Sequence, residues 1–466
     1  MEEQKKGVAM RITVLNGSPK GVISVTYQFY KYITKKFSKI EFIDFKIAQQ
    51  IKTIETNKEK FDEIMDSVKK SDAILWITPV YHFTIPGQLK RFIELIFEGN
   101  YTNVFEGKYA TLITSSIHFY DNMAENYIQG VSEDMGMKYC KGYLAEMQDL
   151  TKKDKREILI SFFADFLRRT EKRISSSRLF APINKSNWKF NPEIFEKTEK
   201  SNKYKILAIA DIEDVNSNLS KMLKVYQSFI SNEMEVINLN DLKIKSGCLG
   251  CCICSGNNQC SITDDLTEIY QKKIKEADAI IYVSEIRDRY LSAKFKMFFD
   301  RSFVNGHAPL YAGKQIQYIL SGPISQESNL REEIKARCEV GCINLVDIIS
   351  DEISDDKKLT QMIKDATENM IYSIENRKVM QTGFYETAGH KIFRDFVFKS
   401  RILFSADHRF YRKIKYYDFP NRNIIKIFFI NLLYYILKNK NIRKRLNKMI
   451  KLGMIMKSEK IVKNVK

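Results

Sequence analysis

The chain has 466 residues, eight cysteines and a formal net charge of +19. That length supports two or three domains with ample core, so disulfide staples are not required for folding. The opening residues MEEQKKGVAMRITVLNGSP hold no apolar export core, and no later apolar run reaches membrane-spanning length, which together point to a reducing cytoplasm.

The charge is unevenly placed. Residues 381–466 carry 21 Lys and Arg against 5 Asp and Glu, a net of +16, whereas the rest of the chain carries 55 against 52. A nearly neutral body therefore precedes a strongly basic tail.

In chain order, RITVLN reads as a short buried strand, followed by the turn GSPKG and a helical stretch from Val22. KIEFIDF is a second strand, and DAILWITPV, KYATLITSS and MKYCKGYLAEM are three more. Helical periodicity falls near residues 58–70, 86–98, 122–134 and 152–173, while KIAQQIKTIETN reads as a loop. From Lys205 the programme restarts: KILAIAD, EVINLN, DAIIYVS, KQIQYILS and CINLVDIIS are strands, with a last helix near 355–378. SDAILWI with LKRFIE, and ADAIIYV with FKMFFD, anchor the repeat, so that Lys90 matches Lys296 and Glu94 matches Asp300. Strands alternating with helices imply parallel sheets covered on both faces. The expected architecture is α/β: two tandem flavodoxin-like, doubly wound, five-stranded parallel sheets of order 2-1-3-4-5, plus a basic helical C-terminal tail. The expected domains are 10–175 and 203–378, joined by a linker over 176–202 and followed by the tail over 379–466.

The first copy carries GSPKGVISVT between its first strand and first helix. A phosphate needs close backbone approach, exposed N–H groups and a positive helix end. Gly17, Ser18 and Pro19 at a helix start supply these, Ser24 and Thr26 add hydroxyls, and Lys20 adds charge. Neither a G-x-G-x-x-G nor a P-loop pattern is present, which disfavours a dinucleotide fold. The third strand ends in TPVYHFTIPGQLKRFIE, where Pro79, Val80, Tyr81, His82 and Phe83 form a stiff wall at the carboxyl end of a central strand. Open α/β sheets bind ligands there.

These stretches, GSPK with S-V-T and PVYHF with IPGQLK, resemble the NAD(P)H-dependent FMN reductase family over residues 10–150 and, more weakly, 203–350. The resemblance implies that the first loop holds the FMN phosphate and the PVYHF loop lies along the isoalloxazine, with NAD(P)H as co-substrate. It also implies that a third loop, Thr114, Ser115, Ser116, Ile117, His118 and Phe119, closes the flavin edge. His82 and His118 are candidate donors to the reduced ring; a solvated loop histidine is the plain alternative for each. Lys90 reads as a helix-surface residue.

The second copy departs at the same places. ADIEDVNSN sets Asp211, Glu213 and Asp214 where a phosphate would lie, and SEIRDR lacks both proline and aromatic wall. The second copy therefore reads as having lost its flavin site. It has instead CLGCCICSGNNQC, in which Cys248, Cys251, Cys254 and Cys260 are spaced C-x2-C-x2-C-x5-C. That spacing lets one loop wrap a [4Fe–4S] cluster. Structural zinc more often takes two well-separated C-x2-C pairs, so zinc and free thiols stand as alternatives, and Cys252 is surplus. Cys140, Cys338 and Cys342 read as packing residues. Iron-sulfur flavoproteins carry such a motif at this position of a flavodoxin-like domain, and the resemblance implies a cluster facing the FMN of a dimer partner.

In the tail, the apolar stretch Ile424 to Leu437 is too short to span a bilayer, but its basic flank suits an anionic membrane surface. A helical extension packed on the body is the plain alternative, and no nucleic-acid module accompanies the charge. The expected function is FMN-dependent NAD(P)H oxidoreduction, with electrons passing between a nicotinamide or redox-protein partner, FMN on the first copy and a [4Fe–4S] cluster on the second. Localisation is expected to be cytoplasmic, with membrane association through the tail and homo-oligomerisation left open. The alternatives are a plain FMN-dependent quinone or nitro-group reductase with non-ligating cysteines, or a non-catalytic metal-binding or membrane-docking protein.

Overall fold

The structure, a computed structural model, describes residues 10–193, 199–305, 311–417, 424–436, 439, 441–442, 455–456 and 458–465. The export reading of residues 1–9, linker positions 194–198 and Leu437 lie outside them. The chain divides into two compact units: Met1–Pro182 with Lys444–Lys466, and Ile183–Arg443.

The first unit runs β1 (Arg11–Asn16), α1 (Val25–Lys36), β2 (Glu41–Phe45), α2 (Ile47–Thr56), α3 (Lys58–Lys69), β3 (Ala73–Pro79), α4 (Gly87–Glu98), β4 (Tyr109–Ser116), α5 (Asp121–Asp134), β5 (Lys138–Tyr139), β6 (Tyr143–Glu146) and α6 (Lys153–Glu171). Its parallel sheet has the order β2-β1-β3-β4-β5, with β6 also pairing with β4. The central strands are near-continuous apolar runs because helices cover both faces. Ile12, Val14, Leu75, Ile77 and Ile113 are fully buried against Phe29, Ile33 and Phe163 of the flanking helices.

Two details differ from expectation. The stretch read as the loop KIAQQIKTIETN contains helix α2, whose Ile47, Ala48, Ile51 and Ile54 are buried. The fifth strand is interrupted between Tyr139 and Tyr143, where a Cβ on Gly142 would approach Leu112 O to 2.9 Å. The strand therefore resumes as β6 on the same neighbour.

The second unit runs β7 (Ser201–Ala210), α7 (Asn218–Phe229), β8 (Asn232–Asn238), α8 (Cys254–Asn257), α9 (Asp265–Glu268), a π turn (Ile269–Lys273), α10 (Ile274–Glu276), β9 (Ala279–Arg287), β10 (Tyr290–Leu291), α11 (Ala293–Arg301), β11 (Gln315–Ser321), α12 (Ser328–Val340), β12 (Asn344–Ser350) and α13 (Asp356–Glu375). Its sheet order, β12-β11-β9-β7-β8, is that of the first unit, with β10 folding back antiparallel on β9. Ala208, Ile281, Val283 and Ile319 are fully buried against α7 and α13.

The linker divides between the units. Leu179 N and Phe180 N donate to the Glu133 carboxylate in the first, whereas Phe190 N donates to Asn218 Oδ1 and Asn191 N to Asp356 Oδ1 in the second. The tail continues as α14 (Phe384–Lys399), α15 (Ser405–Lys413) and α16 (Ile424–Ile436), all within the second unit. Helix α14 is anchored on α12: Tyr385 N and Glu386 N donate to Glu339 Oε2, and His390 Nε2 lies 2.9 Å from Val340 O. Val462, near the chain end, is buried in the first unit's core. No helix among the described residues is long and apolar enough to cross a membrane.

Candidate functional site

In the first unit, three chain segments meet at the carboxyl ends of β1, β3 and β4. Gly17 N donates to Ile77 O at 2.8 Å, carrying the chain off β1 beside β3. A Cβ on Gly17 would lie 2.4 Å from Leu89 Cδ2, so α4 packs where any larger residue would need to go. Gly21, at φ +55, turns the loop back, and Ser24 then caps α1 by accepting from Tyr27 N at 3.1 Å. Ser18, Ser24 and Thr26 are all almost fully buried. Ser18 Oγ accepts from Lys20 N at 3.3 Å, and Thr26 Oγ1 lies 2.6 Å from Ser115 Oγ, tying α1 to β4.

The second segment, Pro79 to Pro86, is a tight hairpin. Tyr81 N donates to Thr84 O at 2.7 Å and Thr84 N to Tyr81 O at 3.2 Å. The two residues between them, His82 at φ 40 and Phe83 at φ 77, both adopt left-handed backbone. Side-chain-bearing residues hold that conformation only where the surroundings enforce it, and such strain concentrates at functional sites. Val80 N donates to Ser115 O at 3.3 Å, joining this hairpin to the third segment.

In that third segment His118 and Tyr120 also have positive φ, 59 and 54. Asp121, the first residue of α5, accepts from Ser116 Oγ at 3.2 Å and lies 2.8 Å from His118 Nδ1. The Asp121 carboxylate at Nδ1 sets the orientation of the His118 ring. The His118 side chain remains 52% exposed. The rings of Phe83, Phe119 and Tyr120 pack together with centroids 4.5–5.2 Å apart, giving an aromatic wall between the second and third segments.

The surroundings fit a flavin mononucleotide. The loop from Gly17 to Thr26 contains no carboxylate, and its hydroxyls stand at the N-terminus of a twelve-residue helix. Asn16 Nδ2, Thr84 Oγ1 and Thr114 Oγ1 are buried without a hydrogen-bond partner among the described residues. Each lies on one of the three segments, and buried polar atoms in native proteins ordinarily have partners. The structure thus brings together Gly17, Ser18, Pro19, Lys20, Ser24, Thr26, the Pro79–Phe83 hairpin and Thr114 to His118. Lys90 is different from expectation: it is not a surface residue but fully buried, paired with Glu94 at 3.3 Å. Its counterpart Lys296 is likewise buried against Asp300.

The second unit keeps the backbone of this site and changes its chemistry. Asp211 N donates to Val283 O at 2.9 Å, as Gly17 N does to Ile77 O. Asp288 and Arg289, at φ 46 and 65, repeat the hairpin of His82 and Phe83. The side chains, however, satisfy one another: Asp211 accepts from Asn240 Nδ2 at 2.7 Å, and Arg287 pairs with Glu213 and Glu285. A cavity of about 560 Å³ remains there, walled by linker residues including Trp188 and by Asp211, Glu213, Arg287 and Asp351.

The cysteine loop lies after β8. Gly250 N donates to Cys248 Sγ at 3.4 Å, Cys251 Sγ lies 3.0 Å from Ser261 Oγ, and Cys252 adopts φ 57. Burial pushes the Cys254 thiol up to about 12, aided by the neighbouring thiols Cys252, Cys251 and Cys260. Burial also pushes Cys248 up. Among the described residues no three His, Cys, Asp or Glu side chains are gathered tightly enough to hold a metal ion. The thiols share one loop without converging on a common point. Cys140 and Cys338 are buried and Cys342 half-buried, all away from this loop in sequence.

Sequence reasoning missed the residue that closes the loop. Arg301, at the end of α11, forms a two-armed pair with Asp264, both N–O distances being 2.9 Å. The same guanidinium donates to Ser246 O and Ile262 O, so it joins the two ends of the cysteine loop, and it lies beside the Cys260 thiol. Burial alone would push the Asp264 carboxyl up, but Arg301 and Lys245 N hold it below the usual carboxylate range. The tail also reaches the loop: Ser255 Oγ donates to Leu403 O at 2.7 Å, and Arg409 Nη2 to Gly256 O at 3.2 Å.

A family model described as NADPH-dependent FMN reductase matches residues 10–148 and again 204–337. An iron-sulfur flavoprotein of Methanocaldococcus jannaschii is 39% identical over 93 residues, covering 20% of this chain and 45% of its own. An FMN-dependent NADH:quinone oxidoreductase of Vibrio vulnificus is 32% identical over 76 residues, covering 14% and 39%. The chain thus spans less than half the length of these curated relatives. Among solved structures, a flavoenzyme NAD(P)H:(acceptor) oxidoreductase from Paracoccus denitrificans is similar at 21% identity, over 35% of this chain and 98% of that one, with a TM-score of 0.31.

Proposed function

This chain belongs to the NADPH-dependent FMN reductase family, carrying the family's unit twice, and on that premise we propose that it is an NAD(P)H-dependent flavin oxidoreductase whose first unit alone binds FMN. The observation that carries the proposal is the contrast between the units at equivalent strand ends. In the first, an acid-free loop, a strained hairpin and a third loop are tied together through Ser115, leaving buried polar atoms for a ligand. In the second, the same backbone is lined by carboxylates that would repel a phosphate dianion.

Bound FMN supplies the ability to accept a hydride and to release electrons singly. The residues bind and orient. The Gly17–Lys20 backbone, with the hydroxyls of Ser18, Ser24 and Thr26, holds the phosphate at the start of α1. The Pro79–Phe83 hairpin and the aromatic wall exclude water from one side of the ring site. His118, oriented by Asp121, presents its remaining ring nitrogen at the edge of that site, and His82 is the second candidate there. A small quinone or a redox protein is the proposed electron acceptor, in line with what the Vibrio relative is named for.

The finer part of the proposal is that Cys248, Cys251, Cys254 and Cys260 bind a [4Fe–4S] cluster. Their spacing, the loop closed at its neck by Arg301 and the likeness to an iron-sulfur flavoprotein support it. As the loop stands the thiols are not gathered around one metal position. Anaerobic mixing of the purified protein with NADH or NADPH tests the activity: loss of oxidised-flavin absorbance with either nucleotide is expected. A flavin that neither nucleotide reduces would contradict the assignment.

A further inference from the structure

Helix α16 is apolar on every side yet largely open to solvent. In its thirteen residues, IIKIFFINLLYYI, Lys426 is the single charge. Ile425, Phe428, Phe429, Leu432, Leu433 and Ile436 are each 45–72% exposed. Ile427, Ile430 and Tyr434, spaced three and four apart along one face, are half-buried instead. One narrow face therefore rests on the protein and a broad apolar face does not. A helix hydrophobic all round is ordinarily buried, and a contiguous apolar patch of this kind on a protein surface marks an interaction site.

We propose that α16 lies in the surface of an anionic lipid bilayer. In the sequence the apolar run ends at Leu437, before Lys438; its fourteen residues from Ile424 would reach about 21 Å as a helix, too short to cross the roughly 30 Å hydrocarbon core, which confines it to the interface. Charge selects the occupant. Arg412, Lys413, Lys415 and Arg422 precede the apolar stretch in the sequence, and Lys438, Lys440 and Arg443 follow it within the same unit. An anionic surface is attracted to all of these, each one raising partitioning about fivefold. A second copy of the chain would instead bring two strongly basic tails together.

The helix is also tied to the cysteine loop. Arg409 donates through Nη1 to Tyr434 OH at 3.0 Å and through Nη2 to Gly256 O at 3.2 Å. Leu249 and Ile253 on that loop are themselves about 40% exposed. Docking α16 on a bilayer would therefore place the cysteine loop next to the lipid surface.

The test is flotation of the full-length protein with phosphatidylcholine vesicles, with and without phosphatidylglycerol, at low and high salt. Expected is binding to the phosphatidylglycerol vesicles that weakens at least about tenfold at high salt and is slight on phosphatidylcholine alone. The double variant Phe428→Glu, Leu432→Glu should lose binding while retaining flavin; the milder Phe428→Ser, Phe429→Ser should weaken it if the first does not fold. Absence of flotation at low salt would overturn the proposal, as would binding unchanged in both variants. A dimer that the variants dissociate, in a protein with no vesicle binding, would also overturn it and assign the face to a second copy.

Discussion

The hydroxyls of Thr26 and Ser115 lie 2.6 Å apart, joining the first turn of α1 to the end of β4 across 89 positions of sequence. This contact fixes the Gly17–Thr26 loop, the proposed phosphate site, relative to the loop that carries His118. Thr26→Val should therefore loosen both the phosphate contact and that link. Loss of one hydrogen bond to a charged group corresponds to about 1.5–3 kcal/mol, or roughly ten- to hundredfold in FMN Kd, measurable by flavin fluorescence on reconstitution. Equal affinity in the variant would place the phosphate elsewhere.

Gly17 makes a packing prediction. A methyl group there meets Leu89, which is fully buried, so Gly17→Ala should destabilise by about 1–3 kcal/mol as an overpacked site. Adding Leu89→Ala should recover part of the loss for the Gly17 change, because the clashing Cδ2 is gone. Thermal melts of the single and double variants read the coupling; strict additivity would show that the approach is relieved some other way.

Arg301 and the cysteines should separate loop closure from ligation. Arg301→Lys cannot reproduce the two-armed contact to Asp264 together with both carbonyls, so Cys254 and Cys260 should become more reactive toward iodoacetamide while flavin content stays unchanged. Replacement of Cys248, Cys254 or Cys260 by Ser should abolish iron-sulfur absorbance, with Cys252→Ala mild. Protein prepared anaerobically with zinc and no iron would refute the cluster.

The tail's contact with that loop should depend on pH. Burial, with Arg401, Arg412 and Arg409 nearby, pushes His408 down to about 4, against about 6.5 in an unfolded chain. As pH falls the unfolded state takes up the proton first, so this contribution is complete above about 6.5 and is lost on descending toward 4. Protection factors of the α15 amides, with exchange referred to its intrinsic rate at each pH, should accordingly fall between pH 7 and pH 5, and His408→Gln should flatten the change. Identical protection factors at the two pH values in the unaltered protein would contradict it.

The duplicated sheet was legible because its strands are apolar runs at regular intervals, and β1, β3, β7 and β9 lie where those runs fall. Helix α2 was not: Gln49, Gln50, Lys52 and Thr53 dilute its apolar face, though Ile47, Ile51 and Ile54 stand at helical spacing. Lys90 misled because a lysine beside Arg91 on a helix reads as surface, whereas its pairing with Glu94 one turn on permits burial. For the candidate site, the turn from Gly17 to Lys20 and the hairpin at Pro79–Phe83 could be read from local turn chemistry, at the strand ends where they fall. Arg301 could not, since its partner Asp264 lies 37 positions away and only folding brings them together.

Counting FMN per chain in three anaerobically purified proteins decides whether each chain holds one flavin and whether the first unit holds it. One FMN is expected in the unaltered protein, essentially none in Ser18→Asp, where a carboxylate would face the phosphate, and one in Asp211→Ser. Two flavins in the unaltered protein, or a full complement in Ser18→Asp with loss in Asp211→Ser, would contradict this expectation.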